Sequence, residues 1–313
     1  MVRQMMLGLR SAGTEVYEFD TDLNREALDC DGREYDRGTS GPVWLRWEKV
    51  RPIVDGFRPE LIVCNAGGLS FRPEIARTLR ESSALLGIAL SDPDVFQAST
   101  SRIAENFDLF LTNAASTIPD YRARGVAADL LPLATNDEFF YPVPPRKEYE
   151  CEVLVIGRAS PDRIEPVRQL HQHFRVHLYG EGWEPHGLPS RGLLFGEELL
   201  AALNSAAVSV IFSRTPAGHA IGKVAIFDFI AGGALVASHY LSEIERYFEY
   251  DREIIGFADT EELISKIEFY LSNPDQAAAV RDAGRRRVLS KYLWRKVWPV
   301  ITDRLQEMRA VRC

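Results

Sequence analysis

The sequence predicts an α/β chain of two Rossmann-like units with a long helical tail. Three observations predict it. Short apolar runs of strand length alternate with helical periodicities along the 313 residues, the signature of a parallel sheet covered by helices. The alternation pauses at the proline-rich "FYPVPPRKEYE" and then restarts. Glycines and arginines collect where the apolar runs of the second half end. The length agrees, since domains of roughly 150 residues would give about two.

In the first half, residues 2–12 read as a helix closed by Gly13, with no strand before it. "EVYEF" reads as a short strand, and an irregular polar stretch follows to about residue 42. A helix is expected from Val43 to about Asp55, then the strand "ELIVC". "PEIARTLRES" reads as a helix, "LLGIAL" and "FDLFLT" as strands, and "STIPDYRARG" as a helix ending at Gly125. Pro142, Pro144 and Pro145 then stiffen the chain and disfavour helix, as in an interdomain linker.

The second half repeats the pattern. "EVLVIG" is a strand, Asp162 to His171 a helix, "RVHLYG" a strand, "EELLAALNSA" a helix and "VSVIFS" a strand. "IGKVAIFDFIAGG" reads as a buried helix because it is apolar nearly all round. "ALVAS", "EIIGF" and the helix "TEELISKIEFYLSN" complete the unit, with Asp259 or Thr260 as its cap. Helices over about 274–289 and 291–309 finish the chain. In the last, Leu293, Trp294, Val297, Trp298 and Ile301 form one broad apolar stripe, and Pro299 is expected to kink or break it.

Composition narrows the partners. A net charge of -8 argues against a nucleic-acid surface, and Arg285-Arg286-Arg287 reads as a solvated helix face. The low lysine share hints at a GC-rich genome. Cys30, Cys64, Cys151 and Cys313 form no CxxC pair, so no metal site and no disulfide is expected, and Cys64 and Cys151 sit in strand-like runs as core residues. No apolar run reaches the roughly 20 residues of a membrane span. The short apolar start makes no signal peptide, so a cytoplasmic location is expected.

Ligands of open parallel sheets bind at the carboxyl ends of the strands, and the second half concentrates unusual residues there. "VLVIGRASPDR" delivers Gly157, Arg158 and Arg163 to one strand end. Two guanidinium groups there can hold a diphosphate, and glycine lets backbone approach it; surface pairing with Asp162 or Glu165 is the plainer alternative. "YGEGWEPHG" places Gly180 and Trp183 after a strand, but Pro185 and Pro189 cannot open the helix that a dinucleotide fingerprint requires, so a Rossmann dehydrogenase is disfavoured. A third cluster runs from Ser213-Arg214 through Gly218 and His219. The helix expected from Ile221 would begin next to it, with Gly222 and Lys223 in its first turn and free amides for an anion. Asp228 lies in that apolar helix, where a buried carboxylate needs hydrogen bonds. A ribose could supply them, or an internal arginine or amide.

Here a resemblance becomes specific. "IGRASPDR", "FDFIAGGALVAS" and "DTEELISKIEFYLSNPDQAAAVRDAGRRRVLSKY" resemble the donor domain of GT-B glycosyltransferases of the group 1 type, similar to the spore-maturation-protein-like members. The likeness covers about residues 150–292, and "LPLATNDEFFYPV" matches loosely before it. It implies two Rossmann-like domains facing across a cleft, with a C-terminal helix crossing back to the first. An acceptor domain would span 1–141, completed by about 292–313, and a donor domain 148–291. The donor is a nucleoside-diphosphate sugar used as co-substrate, with no further cofactor and no metal; the partner is a small-molecule or glycan acceptor. Arg158 and Arg163 then hold the diphosphate and Asp228 the ribose. The sequence departs from the family's Glu-x7-Glu pattern at Ala220, so His219 beside it is the candidate for a group near the reacting sugar.

Two other readings stand beside this one. "ALSDPD" carries Asp92 and Asp94 in the Asp-x-Asp pattern of metal-dependent GT-A transferases, and either could be an acceptor-side base; the same residues also make an ordinary turn. In "CNAGGLSFRPE", Asn65, Gly67 and Gly68 could open space for an acceptor, or only make a turn. A nucleotide-sugar epimerase, or a non-catalytic nucleotide-sugar binder of the same fold, would keep Arg158 and Asp228 as well.

Overall fold

A computed structural model of the chain describes residues 2–32, 41–65, 68–90 and 92–310. It divides into two compact units. One comprises Leu9–Pro132 and the chain from Trp298 onward; the other comprises Arg3–Gly8 and Leu133–Val297. In the first half the elements are α1 (Val2–Ser11), β1 (Leu28–Asp29), β2 (Val43–Leu45), α2 (Trp47–Phe57), β3 (Leu61–Asn65), β4 (Leu69–Ser70) and α3 (Pro73–Leu79). Then come β5 (Ala84–Ala89), α4 (Ser101–Ile103), β6 (Leu109–Thr112), α5 (Ile118–Ala123) and β7 (Ala128–Leu130).

The amino-terminal unit is built on a parallel sheet ordered β3-β5-β6-β7. Every residue of β5 is buried, which is why that strand is a continuous apolar run rather than an alternating one. Gly87 lies at its middle because a Cβ there would stand 2.4 Å from the Phe110 ring. A second small sheet pairs β1 antiparallel to β2, and β2 parallel to β4. It accounts for one departure from expectation: Val43–Leu45 pair as a strand, and the helix begins only at Trp47. "EVYEF" is not a strand either, and its residues are mostly exposed with no sheet neighbour among the described residues.

Asp92 is an internal post of this unit. It is fully buried and accepts hydrogen bonds from Thr100 Oγ1 at 2.8 Å, Thr112 Oγ1 at 2.9 Å and the Tyr121 hydroxyl at 2.7 Å. Burial pushes its carboxyl above the usual carboxylate range, against the pull of those three donors.

The carboxyl-terminal unit contains β8 (Cys151–Ile156), α6 (Pro161–His173), β9 (Val176–Tyr179), α7 (Gly196–Ser205), β10 (Ala206–Ile211), α8 (Val224–Ala231) and β11 (Val236–His239). α9 (Ser242–Glu245), β12 (Ile255–Phe257), α10 (Thr260–Ser272), α11 (Pro274–Lys291) and α12 (Trp294–Ala310) follow. Its five strands are all parallel, in the order β12-β11-β10-β8-β9. One face packs Phe227, Ile230, Tyr247 and Val288, and another packs Val153, Trp183, Phe257 and Ile267. Asp259 caps α10 by accepting the Glu262 amide at 2.9 Å, as its position predicts.

The proline stretch is no free linker. Leu133 is in the core of this unit, Phe140 and Tyr149 pack against it, and Pro142 lies 3.4 Å from where a Cβ on Gly233 would be. α12 contributes its first residues to this unit and its residues from Trp298 to the other. It runs through Pro299 without interruption, and the stripe Leu293, Trp294, Val297, Trp298, Ile301 is buried throughout.

α8 is tied to segments far away in sequence through Asp228. Thr135 Oγ1 donates to its Oδ1 at 2.6 Å, and the Gln4 side-chain amide to its Oδ2 at 3.5 Å. Burial raises this carboxyl from 3.8 to about 7, while the two donors pull it down.

Two outcomes follow from these buried acids. Asp92→Ala strands three buried hydroxyls, so urea denaturation should show a loss of about 3 kcal/mol or more. For Asp228, the folded chain keeps a proton that the unfolded chain releases near pH 3.8. Its contribution to stability is therefore complete below that pH and is lost as the pH rises through about 7. Asp228→Asn keeps the acceptor for Thr135 and offers a donor to Gln4 Oε1, which is buried without a partner. Melting temperatures should show the variant at least as stable as the parent at pH 8, with a flatter profile from pH 5 to 7.

Candidate functional site

The winding of the carboxyl-terminal sheet singles out one place. From β8 the chain crosses to β9 on one side, then returns past β8 to β10 on the other. The strand order reverses between β8 and β10, and in such sheets ligands bind outside the carboxyl ends of the strands at the reversal. Gly157 and Arg158 follow β8 there, and Ser213 and Arg214 lie just beyond β10.

The end of β8 is held by close backbone contact. Gly157 has φ 147° and Gly180, just after β9, has φ 129°, both in a region that favours glycine. A Cβ on Gly180 would stand 2.1 Å from the Gly157 carbonyl oxygen. The same oxygen accepts the Trp183 indole N–H at 2.8 Å, and the Trp183 side chain is wholly buried. The sequence offers Gly180 and Trp183 as ligand contacts. In the structure they instead fix the backbone of Gly157.

Arg163 sits in the first turn of α6 and reaches back over this corner. Its Nη1 donates to the Arg158 carbonyl at 3.0 Å and lies 2.8 Å from where a Cβ on Gly157 would be. Burial lowers its pKa, and the attraction of Asp162 opposes this. Its Nε is buried without a hydrogen-bond partner, and among the described residues no carboxylate forms an ion pair with it. Arg158, by contrast, is largely exposed and pairs with Glu181 at 2.8 Å. Such an exposed pair is worth at most about 1 kcal/mol, so the Arg158 guanidinium can turn to another anion at little cost.

Beyond β10 the structure departs from expectation. α8 starts at Val224, with Lys223 as its N-cap residue, three residues later than the sequence suggests. Residues 213–221 instead form a tight hairpin. The Ile221 amide donates to the Ser213 carbonyl, Thr215 N–H to His219 O, and Gly218 N–H to Thr215 O. Gly218 (φ 89°) makes the turn, and its amide is spent inside the loop. The Gly222 amide is likewise taken by Glu243 Oε2 at 3.1 Å. Neither glycine therefore offers the free N–H expected of it. His219 is exposed on this hairpin, with its own amide bonded to Thr215 Oγ1.

Asp228, the candidate for a ribose, is satisfied inside the unit by Thr135 and Gln4. The carboxylate expected to hold a sugar instead braces α8. Asp92 is no metal ligand, because all its hydrogen bonding is turned inward to three hydroxyls; Asp94 is exposed. Among the described residues, no group of three His, Cys, Asp or Glu side chains is placed to hold a metal ion. Asn65 ends β3, but its side chain and Gly67 lie outside the described residues. Gly68 is a turn residue whose carbonyl accepts the Val43 amide at 2.9 Å.

Of the sequence-derived candidates, the structure thus brings Gly157, Arg158, Arg163 and Ser213 to the β8–β10 crevice. It adds two residues that sequence reasoning did not assign. Arg214 was visible as a charge after an apolar run, and its Nη1 donates to the Gly218 carbonyl at 3.0 Å. His239, the last residue of β11, was hidden because it directly follows the run "ALVAS" and belongs to no motif. Its Nδ1 accepts the Ser213 amide at 3.3 Å. Burial, then the charge of Arg214, hold its pKa down at about 4.

Comparison with known proteins bears on the fold. Residues 161–303 match the protein-family model described as "Glycosyl transferase-like". No curated protein sequence matches the chain. Among solved structures, sucrose-phosphate synthase from Thermosynechococcus elongatus is similar at a TM-score of 0.63 and 18% identity, over 99% of this chain and 93% of that one. Anabaena HepE, solved with UDP and glucose, is similar at a TM-score of 0.60 and 11% identity, over 82% of this chain and 81% of that one. No helix among the described residues is long and apolar enough to cross a membrane. The architecture is that of the GT-B glycosyltransferases.

Proposed function

We propose that the chain is a glycosyltransferase that takes its sugar from a nucleoside-diphosphate sugar and passes it to an acceptor hydroxyl or amine. The donor diphosphate binds in the β8–β10 crevice against Gly157, Arg158 and Arg163. The observation that carries this reading is Arg163: a half-buried guanidinium with its Nε buried and unbonded and no carboxylate ion pair among the described residues, aimed at a side-chain-free strand end, at the reversal of a doubly wound sheet. Leaving a cation so placed unpaired is costly, and an anionic ligand relieves the cost. The family match and the UDP and glucose bound to HepE support the choice of anion.

As the bond from sugar to diphosphate breaks, negative charge grows on the leaving oxygen. Arg163 is held in place for it, and Arg158 leaves Glu181 to join it, which is electrostatic stabilisation without reorganisation of the strand end. The arginines do the work a divalent cation would otherwise do, so the reaction is metal-independent. With Ala220 where an acidic residue is usual, a non-catalytic nucleotide-sugar binder is the second reading; release of free sugar from the donor separates the two.

Two experiments test the proposal. Arg163→Met removes the charge and keeps much of the bulk. Calorimetric titration with UDP, GDP, ADP and dTDP should show about ten-fold or greater weakening for whichever binds the parent protein. The melting temperature of the ligand-free variant should not fall. Unchanged nucleotide affinity overturns the assignment. Donor turnover should also survive EDTA; activity lost to the chelator and restored by manganese would refute metal independence.

A further inference from the structure

We infer that His239 is a donor-binding residue, its Nε2–H hydrogen-bonding the diphosphate of the nucleotide sugar beside Arg163. The inference rests on the donor site proposed above. β11 lies next to β10, with Ser238 opposite Ile211, so His239 emerges beside Ser213 at the crevice. The ring is held in place by its neighbours. Its Nδ1 accepts the Ser213 amide, its ring centroid lies 4.4 Å from that of Phe257 and 5.9 Å from that of Phe212, and the preceding Ser238 hydroxyl is 2.8 Å from that of Ser213.

Because Nδ1 is an acceptor, the neutral ring carries its hydrogen on Nε2. Three charged groups act on the ring: Arg163 and Asp162 from α6, and Arg214 from the hairpin. Burial and the two arginines hold it neutral, and Asp162 opposes them. A neutral imidazole gives the crevice a directed donor without adding a third positive charge. Of the groups gathered there, Arg163 spends its Nη1 on the Arg158 carbonyl and Arg214 its Nη1 on the Gly218 carbonyl. His239 Nε2 has no hydrogen-bond partner among the described residues.

Paired variants test this. His239→Asn keeps an acceptor where Nδ1 meets the Ser213 amide, but its own N–H groups stop short of the Nε2 position; His239→Gln puts a donor near Nε2 and loses the acceptor at Nδ1. With the tightest-binding nucleoside diphosphate of the four above, and with inorganic pyrophosphate, Asn should weaken binding about ten-fold. Affinity for the bare nucleoside should not move, and Gln should recover most of the loss. Diphosphate affinity equal to the parent's in the Asn variant overturns the inference. So does an equal loss for the nucleoside, which would place His239 against the base. If Asn lowers the melting temperature, the imidazole Nε2 nitrogen resonance of the unaltered protein reads the same contact, and its failure to shift on adding the nucleotide is equally fatal. If Arg163→Met weakens binding and the His239 variants do not, only this inference falls. If neither does, the donor site lies elsewhere.

Discussion

The carboxyl-terminal unit depends on how closely two strand ends approach. Gly157 and Gly180 close the ends of β8 and β9 with their backbones in contact, and a single methyl group on Gly180 would collide with the Gly157 carbonyl. Trp183 then bolts that carbonyl from the side through its indole N–H. Burying an indole completely is strongly favourable, provided its N–H finds an acceptor. The strand end supplies the acceptor, and the tryptophan in turn denies it freedom. Arg158 leaves the strand in a fixed direction, and its carbonyl holds the tip of Arg163. A corner that packs like a core thus carries two guanidinium groups at the surface.

The electrostatic character of this corner follows from what is missing as much as from what is present. Arg163 and Arg214 both act on His239, and among the described residues Asp162 is the one acid that acts on His239 or on Arg163. Elsewhere in the chain arginines are routinely matched: Arg72 with Asp29 and Asp31, Arg80 with Asp108, Arg295 with Asp137. A protein of net charge -8 has carboxylates to spare. Their scarcity at this one place gives an anion its best site, and it costs some stability when no anion is bound.

Much of the architecture could be read from the chain because strand and helix periodicities are local. All five strands of the carboxyl-terminal unit are apolar runs, and Asp259 caps α10 as a residue of its type and place should. Several short strands escaped: β1 and β4 have two residues each and β2 and β7 three, and none stands in an apolar run like the "EIIGF" that carries β12. The site was legible where it depended on a contiguous stretch, as with Gly157, Arg158 and Arg163. It was misread where a side chain's role is set by a distant partner. Nothing near Asp228 announces Gln4 and Thr135, and nothing near Asp92 announces Tyr121 and Thr112. Trp183 and Gly180 were recognised as unusual, but the reason was the neighbouring strand end rather than a ligand. His239 acquires its meaning only once β10 and β11 lie side by side.

The path of the chain has a consequence for its birth. Neither unit is a continuous stretch: residues 3–8 belong with Leu133–Val297, and the residues from Trp298 onward belong with Leu9–Pro132. A ribosome delivers the amino end first. The first half therefore emerges without the helix that completes it, and Trp298, Ile301 and Leu305, all buried in the finished protein, arrive only after the whole of Leu133–Val297. Until they emerge, the nascent first half leaves uncovered the apolar surface those residues will occupy. The unit begun first is thus finished only after the unit between its two parts has been made, and a polypeptide lacking α12 would be incomplete in the unit it began with.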